Sequence, residues 1–396
     1  MTSLPATSGG KRLLIAIRDG VSNLQPTLAL VEACTRRGHQ VFVLGHHTQK
    51  DQIEAAGGKL RPYHTAPQWD LGVPGWARGD PVGLFIAFGG TARDDLIASA
   101  EQLQPDAILV DCMLPGALNA AQRAGYKTVA LMHALYSYFA DHMGGAFRGT
   151  IDKADLALGF SYEALECGVR FPPNLFFVGP AHVRRDATTW IRRQPDRPFV
   201  VASLGTAFQS DGQPELLQRI CDAFARLEIE ALVTTGRGVA PESLKLAANI
   251  IAERRVAHET VLDQADLLIT HAGHGTVMAG LARGVPMLCM ALFADQPLNA
   301  AKVTALGLGE ALGPTASSQQ IAKAVSRLLG DHALRDRSRA FAAAAASQPG
   351  IERAVELVEA LMLEPGPAPG PRIVPELSDP RASATKPRRQ GSAGPP

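Results

Sequence analysis

Short, uninterrupted runs of apolar residues alternate along the chain with longer segments whose apolar residues recur at helical spacing. Runs of this kind predict parallel strands covered on both faces, because a half-exposed strand alternates apolar and polar residues. The runs form two series, which are 13–17, 41–44, 107–110 and 128–132, then 199–203, 231–235, 267–270 and 286–290. Strands that alternate with helices indicate a doubly wound α/β sheet, and the sequence predicts this arrangement twice.

A polar stretch rich in Arg and Pro separates the two series and lacks apolar periodicity, as is typical of a linker between domains. Further along, residues 351–363 have the spacing of an amphipathic helix, and nine prolines follow them. The predicted organisation is a flexible N-terminus (1–10), a first domain (11–178), a linker (179–197), a second domain (198–350), a C-terminal helix (351–363) and a disordered Pro/Gly-rich tail (364–396).

The composition argues against a nucleic-acid-binding protein and against a membrane protein. The 396 residues carry a formal net charge of +1, which does not favour nucleic acid, and no basic helix indicates a membrane surface. Five scattered cysteines without metal-ligand spacing predict reduced thiols, a cytoplasmic location and no metal site. The first apolar run has five residues, whereas a signal sequence needs about 7–15 and a membrane span about 20, so we expect no stable membrane insertion.

The segment THAGHGT (270–276) lies where a predicted strand becomes a helix. In such a turn, Gly273 and Gly275 allow close backbone approach, and the free N–H groups of the helix end bind phosphate. Thr276 adds a hydroxyl in the first helical turn, and His271 can donate a ring N–H to a second phosphate oxygen. A tight turn with Thr276 as helix cap and no ligand explains the same residues, so the turn alone leaves both interpretations open.

Small polar residues also follow other strands of the second series, namely Ser203 and Thr206, Thr235, and Asp295 with Gln296. Ligands of doubly wound sheets bind outside the carboxyl ends of the strands, so this edge favours a nucleotide-sugar cleft. An aspartate beside a glutamine suits sugar hydroxyls, because the carboxylate accepts hydrogen bonds while the amide both accepts and donates them. The same pair, followed by Pro297, is also good helix-start chemistry, and both roles can hold.

Residues 199–312 resemble the donor-binding half of the family 1 glycosyltransferases of GT-B fold, particularly bacterial enzymes that glycosylate macrolide, enediyne and aromatic polyketide natural products. The matching segments are SLGT (203–206), VAHETVLDQADLLITHAGHGTVMAGLARGVPML (256–288) and DQPLNA (295–300). The first half matches more loosely through PTLALVEACTRRGHQVFVL (26–44) and PDAILVDCMLPGALNAAQRAGYKTVALMHALYSYF (105–139). The resemblance covers most of 11–363 and implies two Rossmann-like doubly wound parallel-sheet domains facing a central cleft.

The resemblance also implies what each domain binds. The second domain would hold the nucleotide sugar, with the diphosphate at the strand-to-helix turn, the base near 256–258 and the hexose at the Asp-Gln pair. The implied donor-binding residues are Ser203, Thr206, Thr235, Arg255, Val256, His258, His271, Gly273, His274, Gly275, Thr276, Asp295 and Gln296. Arg255 stands where relatives place an aromatic residue, and its guanidinium plane can stack on a base instead. No cofactor besides this co-substrate and no metal is implied.

Two features bear on the substrates. UDP-glucose enzymes of the family often contact the ribose through a glutamate eight positions after the diphosphate histidine, where this chain has Ala279. A missing ribose contact suits a deoxyribose, so a TDP-deoxysugar is favoured as the donor and a UDP-sugar is the alternative.

Aromatic residues in 65–90 and 134–147 predict a small hydrophobic acceptor that binds against the first domain. We expect no more than half of these aromatic residues to line the acceptor pocket.

The catalytic base departs from the family pattern. Relatives carry a histidine three positions before the proline of the first helix, and here Asn23 stands before Pro26. Because an amide cannot take a proton at neutral pH, Asp111 at a strand end is favoured as the base, with Asn23 orienting the acceptor. Asp19 is the next candidate and His133 a weaker one. The resemblance implies direct displacement with inversion at the anomeric carbon.

Two other functions stay open at this point. One is a lipid or cell-wall sugar transferase, although the membrane-facing patch expected in its first domain is not found. The other is a catalytically inactive auxiliary protein that binds a sugar nucleotide, which Asn23 leaves open. The sequence does not determine the oligomeric state, and a homodimer is compatible with it.

Overall fold

The computed structural model describes residues 10–18, 21–66, 81–141, 145–181, 190–205, 213–348 and 350–363, apart from the side chains of 21–22, 81–89, 141 and 145–146. The sequence-predicted Asp19, Thr206 and tail (364–396) lie outside these ranges. None of the helices within them is long and apolar enough to cross a membrane.

The first sheet has seven parallel strands in the order β3-β2-β1-β4-β5-β6-β7. Apolar side chains pack on both of its faces. Its strands are β1 (Arg12–Ala16), β2 (Gln40–Gly45), β3 (Lys59–Pro62), β4 (Ala107–Asp111), β5 (Thr128–Met132), β6 (Leu156–Gly159) and β7 (Leu175–Phe177). The accompanying helices are α1 (Val21–Arg36), α2 (Lys50–Ala55), α3 (Pro81–Leu103), α4 (Pro115–Arg123), α5 (Tyr136–Asp141) and α6 (Gly145–Asp152).

The second sheet has six parallel strands in the order β10-β9-β8-β11-β12-β13, again with apolar layers on both faces. Its strands are β8 (Phe199–Ser203), β9 (Glu230–Thr234), β10 (Ile250–Glu253), β11 (Leu267–Thr270), β12 (Met287–Cys289) and β13 (Gly309–Ala311). The helices that follow the linker are α7 (Gln213–Phe224), α8 (His258–Val261), α9 (His274–Ala282), α10 (Gln296–Ala305), α11 (Ser318–Gly330), α12 (His332–Ala345) and α13 (Gly350–Leu363).

Each sheet has a point where the strand order reverses, between β1 and β4 in the first and between β8 and β11 in the second. Connections leave such a point toward opposite faces, so a crevice opens outside the carboxyl ends of the two strands. Asn23 and Asp111 lie at the first crevice, and Ser203 and His271 lie at the second. The fold therefore places both sequence-predicted centres where doubly wound sheets bind ligands.

The last helix, α13, returns to the first domain. Ala354, Val355, Val358 and Met362 are buried in the same apolar layer as the central strands of the first sheet. Polar contacts reinforce this packing, since Arg37 donates from Nε (2.9 Å) and Nη2 (2.6 Å) to the carboxylate of Glu359. The first domain is thus completed by a segment that the chain reaches only after the second.

The Glu359 carboxylate gives this packing a pH dependence. Partial burial acts to raise the pKa of Glu359, but hydrogen bonds from Arg37 and His39 outweigh it and leave the pKa below its ordinary value of 4.5. We expect Glu359→Gln to lower the free energy of unfolding by about 1–3 kcal/mol at pH 7. The difference should persist down to pH 4.5 and shrink as the pH falls through the lower folded-state pKa, because Glu359 is then protonated in the wild type too.

Urea unfolding of both proteins at neutral and acidic pH measures this difference. Glu356→Gln is a matched control, since Glu356 pairs with the exposed Arg353 on the same helix, at 3.0 Å, and has the smallest effect of the groups that raise the pKa of Arg37. Exposed pairs of this kind contribute about 0–1 kcal/mol. Equal losses in the two variants would contradict the role of Glu359.

Candidate active site

The turn after β11 sets the geometry of the second crevice. Ala272 adopts a left-handed backbone conformation (φ 64°), which is unfavourable for a residue other than glycine and turns the chain sharply into α9. Its N–H donates to Thr270 Oγ1 at 3.1 Å, and its carbonyl accepts from Asn299 Nδ2 at 2.9 Å. Gly273 is the N-cap of α9, so the N–H groups of the first turn have no acceptor within the helix and are suited to bind an anion.

His271 lies beneath this turn with 5% of its surface exposed. Burial lowers the pKa of His271 to about 4, against a smaller opposing effect of the Ser203 backbone, so the ring is neutral and carries one N–H. Its Nδ1 has no hydrogen-bond partner within the described part of the chain. A Cβ at position 273 would lie 2.4 Å from His271 Nε2, so only glycine allows the turn to close over the ring.

The other predicted donor-binding residues differ in their burial and in their hydrogen bonding. Ser203 ends β8 and lies 3.4 Å (Oγ) from His258 Nε2. Thr235 is buried, and its hydroxyl has no partner among the residues described. Val256 is half-buried, whereas Arg255 is exposed at the rim. The ends of β8, β9 and β11 and the starts of α8 and α9 therefore lie around this crevice.

The Asp-Gln pair lies at the start of α10, beside the turn. Burial raises the pKa of Asp295, partly offset by the neighbouring His274, and its Oδ2 accepts from Asn299 Nδ2 at 2.8 Å. Gln296 is buried, and its Oε1 accepts from the backbone N–H groups of Leu292 (2.9 Å) and Phe293 (3.1 Å). The glutamine thus shapes the loop before α10, and its contact with a hexose stays a prediction.

The first crevice holds a buried amide–carboxylate pair. Asn23 Nδ2 donates to Asp111 Oδ2 at 2.7 Å, and the backbone N–H of Met113 donates to Asp111 Oδ1 at 2.9 Å. Asp111 is fully buried. The structure therefore brings the two predicted catalytic residues together, although they are 88 positions apart.

The two domains are in contact at several places, and one of these contacts, between the two crevices, involves a carbonyl group. Phe160 follows β6 in the first domain, and its backbone oxygen lies 3.1 Å from Nε2 of His274, the first residue of α9. The side chain of Phe160 stacks on His133, with ring centroids 5.2 Å apart and planes inclined by 7°. Burial and, to a smaller extent, the charge of Asp295 in the second domain raise the pKa of the Tyr138 hydroxyl.

The aromatic residues expected at the acceptor fall into different environments. Tyr136 and Phe139 are buried in the first domain's apolar core, and Tyr138 is half-buried. Trp69 and Trp76 lie outside the described residues. Among those described, no three His, Cys, Asp or Glu side chains are arranged as metal ligands.

Sequence reasoning did not find Phe160 or Asn299. The sequence contains a signal for each of them. Phe160 directly follows a short apolar run, as residues at the carboxyl ends of strands do, and Asn299 lies one helical turn after Asp295. The position of Phe160 could not indicate its contact with His274, because Phe160 contributes a backbone oxygen, which every residue has.

Comparison with known proteins agrees with this geometry. Residues 218–361 match the family described as erythromycin biosynthesis protein CIII-like, C-terminal domain. The NDP-glycosyltransferase YjiC of Bacillus subtilis (strain 168) is 27% identical over 382 residues, which are 86% of this chain and 94% of that protein. The oleandomycin glycosyltransferase of Streptomyces antibioticus is 27% identical over 384 residues, 85% of this chain and 88% of that protein.

Solved structures show the fold. The glycotransferase of kitacinnamycin superposes with a TM-score of 0.77 at 22% identity, over 89% of this chain and 99% of that one. VinC, a glycosyltransferase solved in complex with DTDP, gives a TM-score of 0.67 at 20% identity, over 88% of this chain and 99% of that one. The predicted GT-B arrangement of two parallel-sheet α/β domains is confirmed.

Proposed function

We propose that this chain, a glycosyltransferase of GT-B fold with an EryCIII-like C-terminal domain, moves a sugar from a nucleoside diphosphate to a small hydrophobic natural-product acceptor. Transfer proceeds with inversion at the anomeric carbon, and the donor is a TDP-deoxysugar. The observation that carries the proposal is the turn into α9, where N–H groups that lack an acceptor within the helix and a buried neutral His271 converge.

These groups suit a diphosphate rather than a neutral ligand. The first turn of α9 supplies backbone donors and the positive end of the helix dipole. His271 lies buried below the turn, and its ring N–H, which is near the Ser203 backbone in this structure, would turn to a diphosphate oxygen when the donor binds. The similarly folded VinC was solved with DTDP, which supports the same assignment here.

The reaction uses both domains. The acceptor oxygen attacks the anomeric carbon from the side of the first domain, while the bond to the diphosphate breaks on the side of α9. Negative charge that develops on the leaving diphosphate is stabilised by donors already in place. The acceptor proton passes to a group of the first domain, where the Asn23–Asp111 pair and His133 lie.

Substitution of His271 tests the donor site. We expect His271→Ala to weaken TDP binding at least about tenfold in calorimetric titration, because a charge-assisted hydrogen bond contributes about 1.5–3 kcal/mol. Gly273→Ala should also weaken TDP binding, since its Cβ displaces the His271 ring. In a His271→Ala background, Gly273→Ala should add little further loss, because the clashing ring is gone. Unchanged TDP affinity in a folded His271→Ala protein would contradict the diphosphate assignment.

Donor choice is a separate prediction. Ala279 is buried within α9, so no polar group at this position contacts the ribose. We expect a higher kcat/KM with TDP-glucose than with UDP-glucose in competition assays, because a deoxyribose has no need of this contact. A wild-type enzyme that accepts only the UDP-sugar would show the inference from Ala279 to be wrong.

A further inference from the structure

We propose that His133 takes the proton from the acceptor hydroxyl, while Asp111, held by Asn23, stabilises the imidazolium that forms. This inference rests on the proposed function and deepens it. It assigns Asp111, which the sequence favours as the base, a supporting role.

The environment of Asp111 argues against direct proton transfer from an acceptor. Both carboxylate oxygens accept hydrogen bonds, Oδ2 from Asn23 at 2.7 Å and Oδ1 from the Met113 backbone at 2.9 Å. The residue is fully buried. Because the carboxylate is already hydrogen-bonded and has no exposed surface, an acceptor reaches it only if the residues around it move.

His133 is also buried, but it differs from Asp111 in its hydrogen bonding. It follows β5, which pairs in parallel with β4 so that Asp111 lies opposite Leu131, two residues before the histidine. His133 is 6% exposed, yet neither ring nitrogen has a hydrogen-bond partner in the described part of the chain. Buried polar atoms are normally hydrogen-bonded, because leaving one unsatisfied costs about 1–3 kcal/mol. These nitrogens are therefore suited to a ligand that completes their hydrogen bonding.

The position of His133 fits in-line displacement. Its ring stacks on Phe160, and the Phe160 carbonyl contacts His274 at the start of α9, where the leaving diphosphate is proposed to bind. His133 thus belongs to the first domain but lies next to the leaving-group turn. An acceptor oxygen bonded to His133 approaches the anomeric carbon from the side opposite the diphosphate.

The charges around the ring are consistent with this role. Burial lowers the pKa of His133 to about 4, so the ring is neutral at pH 7 and can accept a proton. Asp111 opposes this effect, and His274 and Arg18 add to it. Because so weakly basic a ring accepts protons best from acidic hydroxyls, the inferred acceptor class is a phenol or an enol.

The step balances without a further reactant. The acceptor oxygen forms a bond to the anomeric carbon, and the carbon–oxygen bond to the diphosphate breaks with its electron pair. The hydroxyl proton moves to a His133 ring nitrogen and is released to solvent after the products leave.

The test compares acceptors that differ in acidity, with TDP-glucose as the donor. We expect His133→Gln to lower kcat/KM for 4-methoxyphenol about 10²–10⁴-fold, because this phenol must lose its proton in the reaction. The loss for 2,4-dinitrophenol, which is already ionised at pH 7, should be below about tenfold. His133→Ala should behave alike, and added imidazole should restore part of its activity on 4-methoxyphenol.

TDP titration and thermal melting of each variant show that the fold and the donor site persist. Equal losses on both phenols, no loss on either, or a wild type that binds TDP but glycosylates neither phenol would overturn the proposal. A wild-type protein that binds neither TDP nor UDP would instead show that the proposed function has failed.

Discussion

A chain that ends after Gln348 should lose its folded first domain, whereas a chain that ends after Leu363 should keep its melting temperature and turnover. The difference lies in α13, which buries Val355, Val358 and Met362 against the first sheet. Burial of each such side chain is worth about 1.5–3 kcal/mol, and a whole domain is stable by about 5–15 kcal/mol. Loss of the helix therefore removes a large share of that stability.

Polar contacts add to the expected effect. Lys127 donates to the last carbonyls of α13, at 2.9 Å from Leu361 and 3.1 Å from Met362, and Glu359 binds Arg37 and His39. Thermal melting followed by near-ultraviolet circular dichroism measures both truncations. A shorter chain that still melts cooperatively as a single protein would contradict this account of α13. A drop of several degrees after truncation at Leu363 would show that the tail also docks.

Much of the fold could be predicted because central parallel strands are apolar on both faces. All eight predicted runs coincide with strands to within one residue at each end, as 128–132 does with β5. The strands that the pattern did not predict have three or four residues, and four of these five lie at sheet edges, such as β3. Edge strands contact one neighbour and tolerate polar residues, as β3 (KLRP) and β13 (GEA) do, whereas β7 (LFF) is apolar but has only three residues.

The site was predictable only as far as strand ends reveal it. The parallel strands of a sheet end at one edge. Ser203 and His271 could therefore be placed at that edge of the second sheet, and Asp111 at that edge of the first, from their positions alone. The sequence could not show that Gln296 directs its oxygen to the backbone, or that Tyr136 and Phe139 point into the core. Side-chain direction in loops and short helices depends on tertiary packing, which no periodicity encodes.

The contact between the two domains could not be predicted from the sequence either. His274 was expected to bind the donor as part of the turn, and its ring contacts the Phe160 carbonyl of the other domain. That contact depends on how the two sheets pack relative to each other, and a backbone oxygen is common to every residue type.

Asp111→Asn should lower kcat by about 10²–10⁴-fold while TDP binding stays unchanged. The substitution removes the negative charge beside His133 and sets an amide against the Asn23 amide, so the imidazolium loses its stabilising partner. Asp106→Asn is a matched control, because Asp106 lies before the opposite end of β4, where it binds Lys11 and the Arg12 backbone. We expect the control to retain wild-type kcat.

If His133 takes the proton with the help of Asp111, the double variant with His133→Gln should be hardly slower than His133→Gln alone, because the effects of residues that act as a unit are not additive. Fully multiplicative losses would mean that Asp111 acts on the acceptor independently of His133. An Asp111→Asn enzyme with wild-type turnover would make Asp111 structural and Asp19 the next residue to substitute.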